Sequence, residues 1–253
     1  NDLYGIQVYS APVEGNEAWS PYVYGLFDNI ENLTVSLLKG FKYKFVSSMV
    51  VDGKTKIANR TSFASPFDFY KYPSTYNQQL SNSFIYNGSQ YMSNLGSGWT
   101  YLVSYSSYFN IAPVERYYGE LIDYVPEESN NNKAKIHMKR TCFGAKFMAQ
   151  GKLATAGQLE IKMKDAPVIL LDLANEKQHD DIYTFYNVKA AHDYKTGNYE
   201  EDIDVSINWY YQTEDGSTVT VPFGTHKITY KRNATTVVKI NLENTNVEGG
   251  IGF

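Results

Sequence analysis

The sequence predicts an all-β chain of the β-sandwich class, and three observations carry that prediction. Apolar and polar residues alternate with period two over many short segments, the pattern of strands with one buried face. With 23 Tyr, 13 Phe and 3 Trp the aromatic share reaches 15%, and aromatic and β-branched residues favour half-buried strands. Sustained 3.6-residue periodicity is absent: "STYNQQLSNSF" (74–84) and "LLDLANEKQHDD" (170–181) each read as one short helical turn at most. Strands spaced by roughly ten residues with turn signals between them are most economically arranged as a sandwich.

The elements follow in order. "YGIQVYS" sets Tyr4, Ile6 and Val8 on one face and Gly5, Gln7 and Tyr9 on the other. "LTVSLLKGFKYKFVSSMVV" reads as two successive strands, Leu33, Val35 and Leu37 inward in the first and Phe41, Tyr43 and Phe45 in the second, with a turn at Lys39-Gly40. Asp52-Gly53 then reads as a tight hairpin, because such a turn needs a residue with positive φ. "GQLEIKMKD" places Leu159, Ile161 and Met163 against Glu160, Lys162 and Lys164, an antiparallel strand with one wet side. "EDIDVSINWYYQ" alternates Ile203, Val205, Ile207 and Trp209 against Asp202, Asp204, Ser206 and Asn208, and "EDGS" turns it into "STVTVPF", a hairpin.

Two segments run an alternating strand into a Lys-Arg pair. In "HKITYKRNATTVVKINLE", Ile228 and Tyr230 point inward, Lys231-Arg232-Asn233 interrupts, and Val238, Ile240 and Leu242 resume in a new phase. Two strands joined by a bend or wide bulge are expected there. "IHMKRTCFGAKFM" repeats the arrangement, with Ile136 and Met138 before Lys139-Arg140 and Phe143, Ala145 and Phe147 after it.

Residues 63–118 differ in character. Sixteen of these 56 residues are aromatic and only Asp68, Lys71, Glu115 and Arg116 are charged, with Ser, Asn, Gly and Gln between. This is an aromatic-rich insertion on a sandwich. Recognition surfaces use the same mixture, since tyrosine gives wide contact at low entropic cost; Trp99, Tyr101, Tyr105 and Tyr108 are the binding candidates for a sugar or a protein. The alternative is that these rings close a second small core. A domain boundary is placed near Asp165, giving 1–165 as the larger sandwich with the insertion and 166–253 as a smaller one of about seven strands.

Charge and chemistry narrow the function classes. Lys plus Arg number 23 against 27 Asp plus Glu, a net charge of −4, so no basic excess points to nucleic acid. No apolar run approaches the length of a membrane-spanning helix. The chain opens at Asn1, consistent with removal of a leader or with a cloning boundary. Cys142 stands alone, which excludes an internal disulfide and multi-cysteine metal sites and reads as a small core residue. His137, His179, His192 and His226 are scattered without metal-ligand spacing. His179-Asp180-Asp181 and His192-Asp193 read as polar inter-strand loop. Asp202 and Asp204 share one strand face, about 7 Å apart by strand rise, whereas glycosidase carboxylates face one another across a cleft. "EEDID" lacks the spacing of a calcium loop. No nucleophile elbow, phosphate loop or dinucleotide fingerprint is present. The expectation is a protein without enzymatic activity, catalytic residues, cofactor or metal.

The closing pattern "VPFGTHKITYKRNATTVVKINLE", with Arg232-Asn233 before a last alternating strand, resembles the end of fimbrillin-like proteins of anaerobic Gram-negative bacteria. "MKRTCFGAKFMA" followed by "GQLEIKMKDAP" is similar to the ending of that family's first domain, and "YGIQVYS" to a first strand. The matches touch about a third of the chain. The resemblance implies two tandem transthyretin-like, Greek-key β-sandwich domains. It also implies export as a lipoprotein anchored upstream of the given chain, and a place at the outer membrane surface or in a fimbrium. Partners would be other fimbrial subunits or a host or bacterial surface ligand, joined by strand donation. The exchange candidates are Ile6 and Val8 in the first strand and Val238, Ile240 and Leu242 in the last. The aromatic insertion favours a tip, anchor or accessory role, and the alternative is a surface glycan-binding protein using exposed aromatics.

Overall fold

The computed structural model describes residues 1–57, 62–63, 67, 69–70, 80, 84–92, 101–128, 132–151 and 157–252, and for 62–63, 69–70, 84–92 and 101–109 it gives the strand path alone. In chain order the strands are β1 (Leu3–Pro12), β2 (Ser20–Phe27), β3 (Phe41–Val50), β4 (Ser62–Phe63), β5 (Phe69–Tyr70), β6 (Phe84–Met92), β7 (Tyr101–Phe109), β8 (Arg116–Tyr124) and β9 (Lys139–Arg140). There follow β10 (Cys142–Gln150), β11 (Gln158–Met163), β12 (Ile169–Asp172), β13 (Gln178–Thr184), β14 (Glu200–Gln212), β15 (Thr218–Lys231), β16 (Thr235–Asn241) and β17 (Asn246–Gly252). Two short helices, α1 (Gly53–Lys56) and α2 (Val188–Asp193), punctuate them. The protein is an all-β sandwich protein, as its alternation predicts.

The chain divides into two compact units, each assembled from separate stretches. One comprises Asn1–Phe84, Val114–Thr141 and Asn187–Asp193; the other comprises Ile85–Pro113, Cys142–Tyr186 and Tyr194–Phe253. The boundary expected near Asp165 does not mark this division. Asp165, with φ 61°, occupies the turn between β11 and β12, and those strands are antiparallel neighbours in one sheet, so both sides of the turn belong to the same unit.

In the first unit one antiparallel sheet runs in the order β2-β1-β3-β8-β9. Ile6, Val8, Tyr43 and Phe45 form a buried cluster on it, with Val8 directly across from Phe45. Leu33, Val35 and Leu37 pack on this cluster as their alternation expects, but 33–38 form no strand. The strand that follows, β3, has no edge to offer the segment, being paired on one side with β1 and on the other with β8. The segment is instead an extended strap held by tyrosine hydroxyls. Tyr43 Oη accepts from the Leu38 N–H (2.6 Å) and donates to the Leu38 C=O (3.0 Å), and Tyr22 Oη donates to the Ser36 C=O (2.8 Å).

Two local features of this unit follow from backbone sterics. A Cβ at Gly5 would lie 2.6 Å from the ring of the fully buried Phe67, so a side chain there would displace the ring. Asp52 itself takes the left-handed conformation, φ 53°, and Gly53 begins α1, with the Lys56 N–H bonded to the Asp52 C=O at 3.0 Å. The expected hairpin is therefore a single helical turn.

The second unit contains two four-stranded sheets, β13-β10-β16-β17 and β12-β11-β14-β15, besides the β6-β7 pair. Phe143 of β10 is fully buried. Its ring centroid lies 4.7 Å from that of Tyr230 on β15, 4.6 Å from Phe185 and 5.8 Å from Tyr183, so aromatic packing joins the sheets. The β14-β15 hairpin forms as predicted, closed by Asp215 Oδ1 accepting from the Ser217 N–H at 3.0 Å. A register shift at Ile207/Asn208 falls opposite Gly224 and Pro222. β15 is an edge strand, which is where a strand tolerates proline.

Both Lys-Arg segments end a strand at a change of sheet. Lys139 and Arg140 are β9, on the margin of the first unit's sheet, and β10 follows in the second unit. Lys231 ends β15, Asn233 takes φ 59° in the turn, and β16 then runs in the other sheet, parallel to β10. Two expectations need correction here. Residues 170–181 make the one short turn expected of them, the Asp172 C=O accepting from the Asn175 N–H (2.9 Å) and the Glu176 N–H (2.7 Å), but that turn lies between the end of β12 and the start of β13, which places Asp180 across from Lys146 and Asp181 across from Ala145. The polar loop expected at His179-Asp180-Asp181 is therefore strand. Glu160, assigned to a wet face, is 2% exposed, because β11 is flanked by β12 and β14; its Oε1 accepts from Asn208 Nδ2 (3.0 Å), Tyr210 Oη (3.2 Å) and Lys162 Nζ (2.9 Å).

Candidate functional site

The feature best suited to a function in the first unit is a slot beside β2. Its floor is Ile6 and Val8, one wall is the run Tyr22–Gly25 of β2 with Phe27, and the other is Thr34–Ser36 of the strap, enclosing about 520 Å³. That volume falls within the range of ligand-binding clefts. β1 satisfies one edge of β2; the other edge has no strand partner among the described residues. Val23 is 39% exposed there. The strap offers a second extended backbone, pinned through Tyr22, whose ring meets that of Tyr43 edge-on at 5.3 Å. An apolar floor between two extended backbones is the geometry of strand-addition sites in general, where main-chain groups pair with an edge and alternate side chains fill pockets.

The strand-exchange candidates nominated from the sequence fall in or just beyond central strands. Ile6 and Val8 line the slot from a central strand paired with both β2 and β3. Val238 and Ile240 belong to β16, equally central between β10 and β17. Leu242 is buried just beyond it, its N–H bonded to the Gln150 C=O at 3.0 Å. Leaving as a donated strand would cost either β1 or β16 two ladders. Among the described residues β2 and β17 each stand at a sheet edge, as do β9, β12, β13 and β15. β17 has little sequence signature, since Gly249, Gly250 and Gly252 remove the alternation that marks a strand; β2 carries "YVYGLF", whose alternation is blurred because its residues are only half-buried.

The aromatic candidates are only partly placed. Trp99 lies outside the described residues, and Tyr101, Tyr105 and Tyr108 fall on β7, whose strand path alone is described.

The polar candidates hold structure. His179 Nε2 meets Tyr183 Oη at 3.1 Å, and His226 Nε2 meets the Phe223 C=O at 2.9 Å. His192-Asp193, expected in a loop, closes α2, which docks on β8 through charge. Lys189 Nζ reaches Glu120 Oε2 (2.6 Å) and Asp193 Oδ2 (3.0 Å), Asp193 Oδ1 holds His192 Nδ1 (2.8 Å), and Tyr118 Oη donates to Glu120. The His192 hydrogen bond, with Lys189 beside it, holds the Asp193 carboxyl below the usual carboxylate range. Burial, then the bond and charge of Glu120, raises the Tyr118 phenol. Cys142 is buried, its Sγ 3.4 Å from Thr184 Oγ1. Among the described residues no group of three His, Cys, Asp or Glu side chains is placed to hold a metal ion, and no helix is long and apolar enough to cross a membrane.

No family model matches the chain, and no curated protein matches it in sequence. Among solved structures it is similar to one described as a "putative adhesin" from Bacteroides thetaiotaomicron VPI-5482, with 11% identity over 98% of this chain and 88% of that one and a TM-score of 0.33. A likeness of that degree carries no argument about this chain.

Proposed function

We propose that this chain is a non-enzymatic surface adhesion or assembly subunit that takes an extended segment of a partner into the slot beside β2. The observation that carries the reading is that slot, with its floor of Ile6 and Val8 and a strand margin that has no strand partner among the described residues. An open edge is a template for strand addition, and apolar pockets on alternate residues supply selectivity. The finer reading places the protein at the outer membrane surface as an exported lipoprotein, in the tip, anchor or accessory position of a fimbrium. Its support is the pair of Lys-Arg segments, the motif around Arg232-Asn233 and the aromatic insertion at 63–118.

Synthetic peptides spanning Leu3–Pro12 and Thr235–Glu243, the two segments nominated for exchange, test the reading when titrated against the full chain. Uptake should slow amide hydrogen exchange along Tyr22–Gly25. Absence of any protection on β2, with these peptides and with purified fimbrial subunits alike, would refute strand uptake. Sugar binding lost in Trp99→Ala, without strand uptake, would replace it by the glycan-binding reading.

A further inference from the structure

A second edge strand of interest, β17, belongs to the second unit. β17 pairs with β16 on one side and has no strand partner on the other among the described residues. Residues directly across an antiparallel ladder share a face, so Val247 lies with Ile240, Gly249 with Val238 and Ile251 with Thr236, on the face that buries Val238 and Ile240. Glu248, Gly250 and Gly252 share the opposite face with Lys239, Val237 and Thr235. Ile251 is 44% exposed, and it and Val247 border an open groove of about 660 Å³ between β17 and β15. Common protections of an edge are missing from β17: it has no proline, no lysine and no register shift.

We propose that β17 pairs with β17 of a second copy of this chain, antiparallel and centred on Gly249. The pattern of β17 is self-complementary about that residue. Antiparallel pairing about Gly249 sets Val247 across from the second copy's Ile251 twice over, Glu248 across from Gly250, and Asn246 across from Gly252. Every apolar side chain on the core face meets another apolar side chain. The single charged residue meets a residue with no side chain and keeps Lys239 across from it in its own sheet. Moving the centre by one residue, to Glu248, would set the two glutamates directly opposed and place Val247 across from Gly249. Moving it to Gly250 would set Glu248 across from Gly252 and Ile251 across from Gly249, with no apolar pair formed between residues of β17 itself, Val247 being left to face a residue beyond the strand's end. The same patch serves both copies, as a closed two-fold interface requires, and the two four-stranded sheets become one sheet of eight.

Gly250 supplies the test, because a Cβ there meets nothing within 4 Å in its own chain and its φ is not in the left-handed region. Sedimentation of the full chain from about 10 µM to about 1 mM covers the range of a small interface, and a monomer–dimer equilibrium is expected. Gly250→Glu places like charges opposite each other at two symmetric positions and should weaken association about tenfold, while Gly250→Lys should strengthen it by a similar factor. Amides of β17 should gain exchange protection as concentration rises. A chain that stays monomeric throughout overturns the proposal. So does a dimer that responds alike to both substitutions, or one that forms without protecting β17.

Discussion

Replacing Phe143 by alanine should cost the second unit most of its stability. The ring is fully buried and touches three others, the one across the sandwich being Tyr230 at 4.7 Å. A buried aromatic side chain removes about 150–250 Å² from water, which at about 25 cal/mol per Å² is about 4–6 kcal/mol for the whole group. Alanine retains part of that area, while the cavity left behind adds a cost of its own. The net expectation is the about 3–5 kcal/mol typical of Phe→Ala in cores. A domain holds only about 5–15 kcal/mol in total, so the variant should unfold at much lower urea concentration with an unchanged slope. Far-UV dichroism reports the transition, together with fluorescence of Trp209, which is buried in the same unit. Phe143→Leu, which fills most of the space, should recover more than half of the loss. A cost below about 1.5 kcal/mol for the alanine variant would refute the idea that this ring joins the two sheets.

Two other outcomes follow from single groups. A Cβ on Gly144 would lie 3.1 Å from Thr235 Cα, where β10 and β16 run in parallel, so Gly144→Ala should cost about 1–3 kcal/mol, with faster amide exchange confined to β10 and β16. Tyr199 is pushed up to about 12 by burial, then by the charge and hydrogen bond of Glu201. A folded pKa above the unfolded value of about 10 favours folding while the phenol is protonated. That share is complete below about pH 10 and is lost as pH rises toward 12, so the stability of the wild type relative to Tyr199→Phe, measured by urea denaturation, should decline across that window.

Alternation was legible wherever one face of a strand is buried and the other wet. Ile203, Val205, Ile207 and Trp209 are all buried, and their hairpin with β15 needs only a short loop. Patterning failed where the partner lay far away in sequence. Glu160 looks like a solvent residue until Asn208 and Tyr210 arrive beside it, and the parallel pairing of β10 with β16 joins residues some ninety positions apart. Leu33, Val35 and Leu37 showed the converse: their spacing declared a buried face correctly, but a buried face is not a ladder, and the strap's backbone is held by the hydroxyls of Tyr22 and Tyr43, which no single segment encodes. α2 was missed because six residues are too few for helical periodicity to register, and its anchorage through Lys189 and Asp193 depends on Glu120, far earlier in the chain. For the candidate site, Ile6 and Val8 were visible as apolar positions. Their role as a floor depends on β2 and the strap, whose side chains are only partly buried and whose pattern is correspondingly faint.

The interleaved threading of the chain has a consequence for how the molecule is made. A ribosome releases the polypeptide in order, and the stretch Asn187–Asp193 that completes the first unit emerges only after much of the second has been synthesised. Neither unit corresponds to one uninterrupted piece of gene, so excising either at a single cut, or shuffling it into another protein as a cassette, would strand fragments on both sides. Maturation of the two must overlap in time, and a chaperone or protease meeting the nascent chain would encounter both while each is still unfinished.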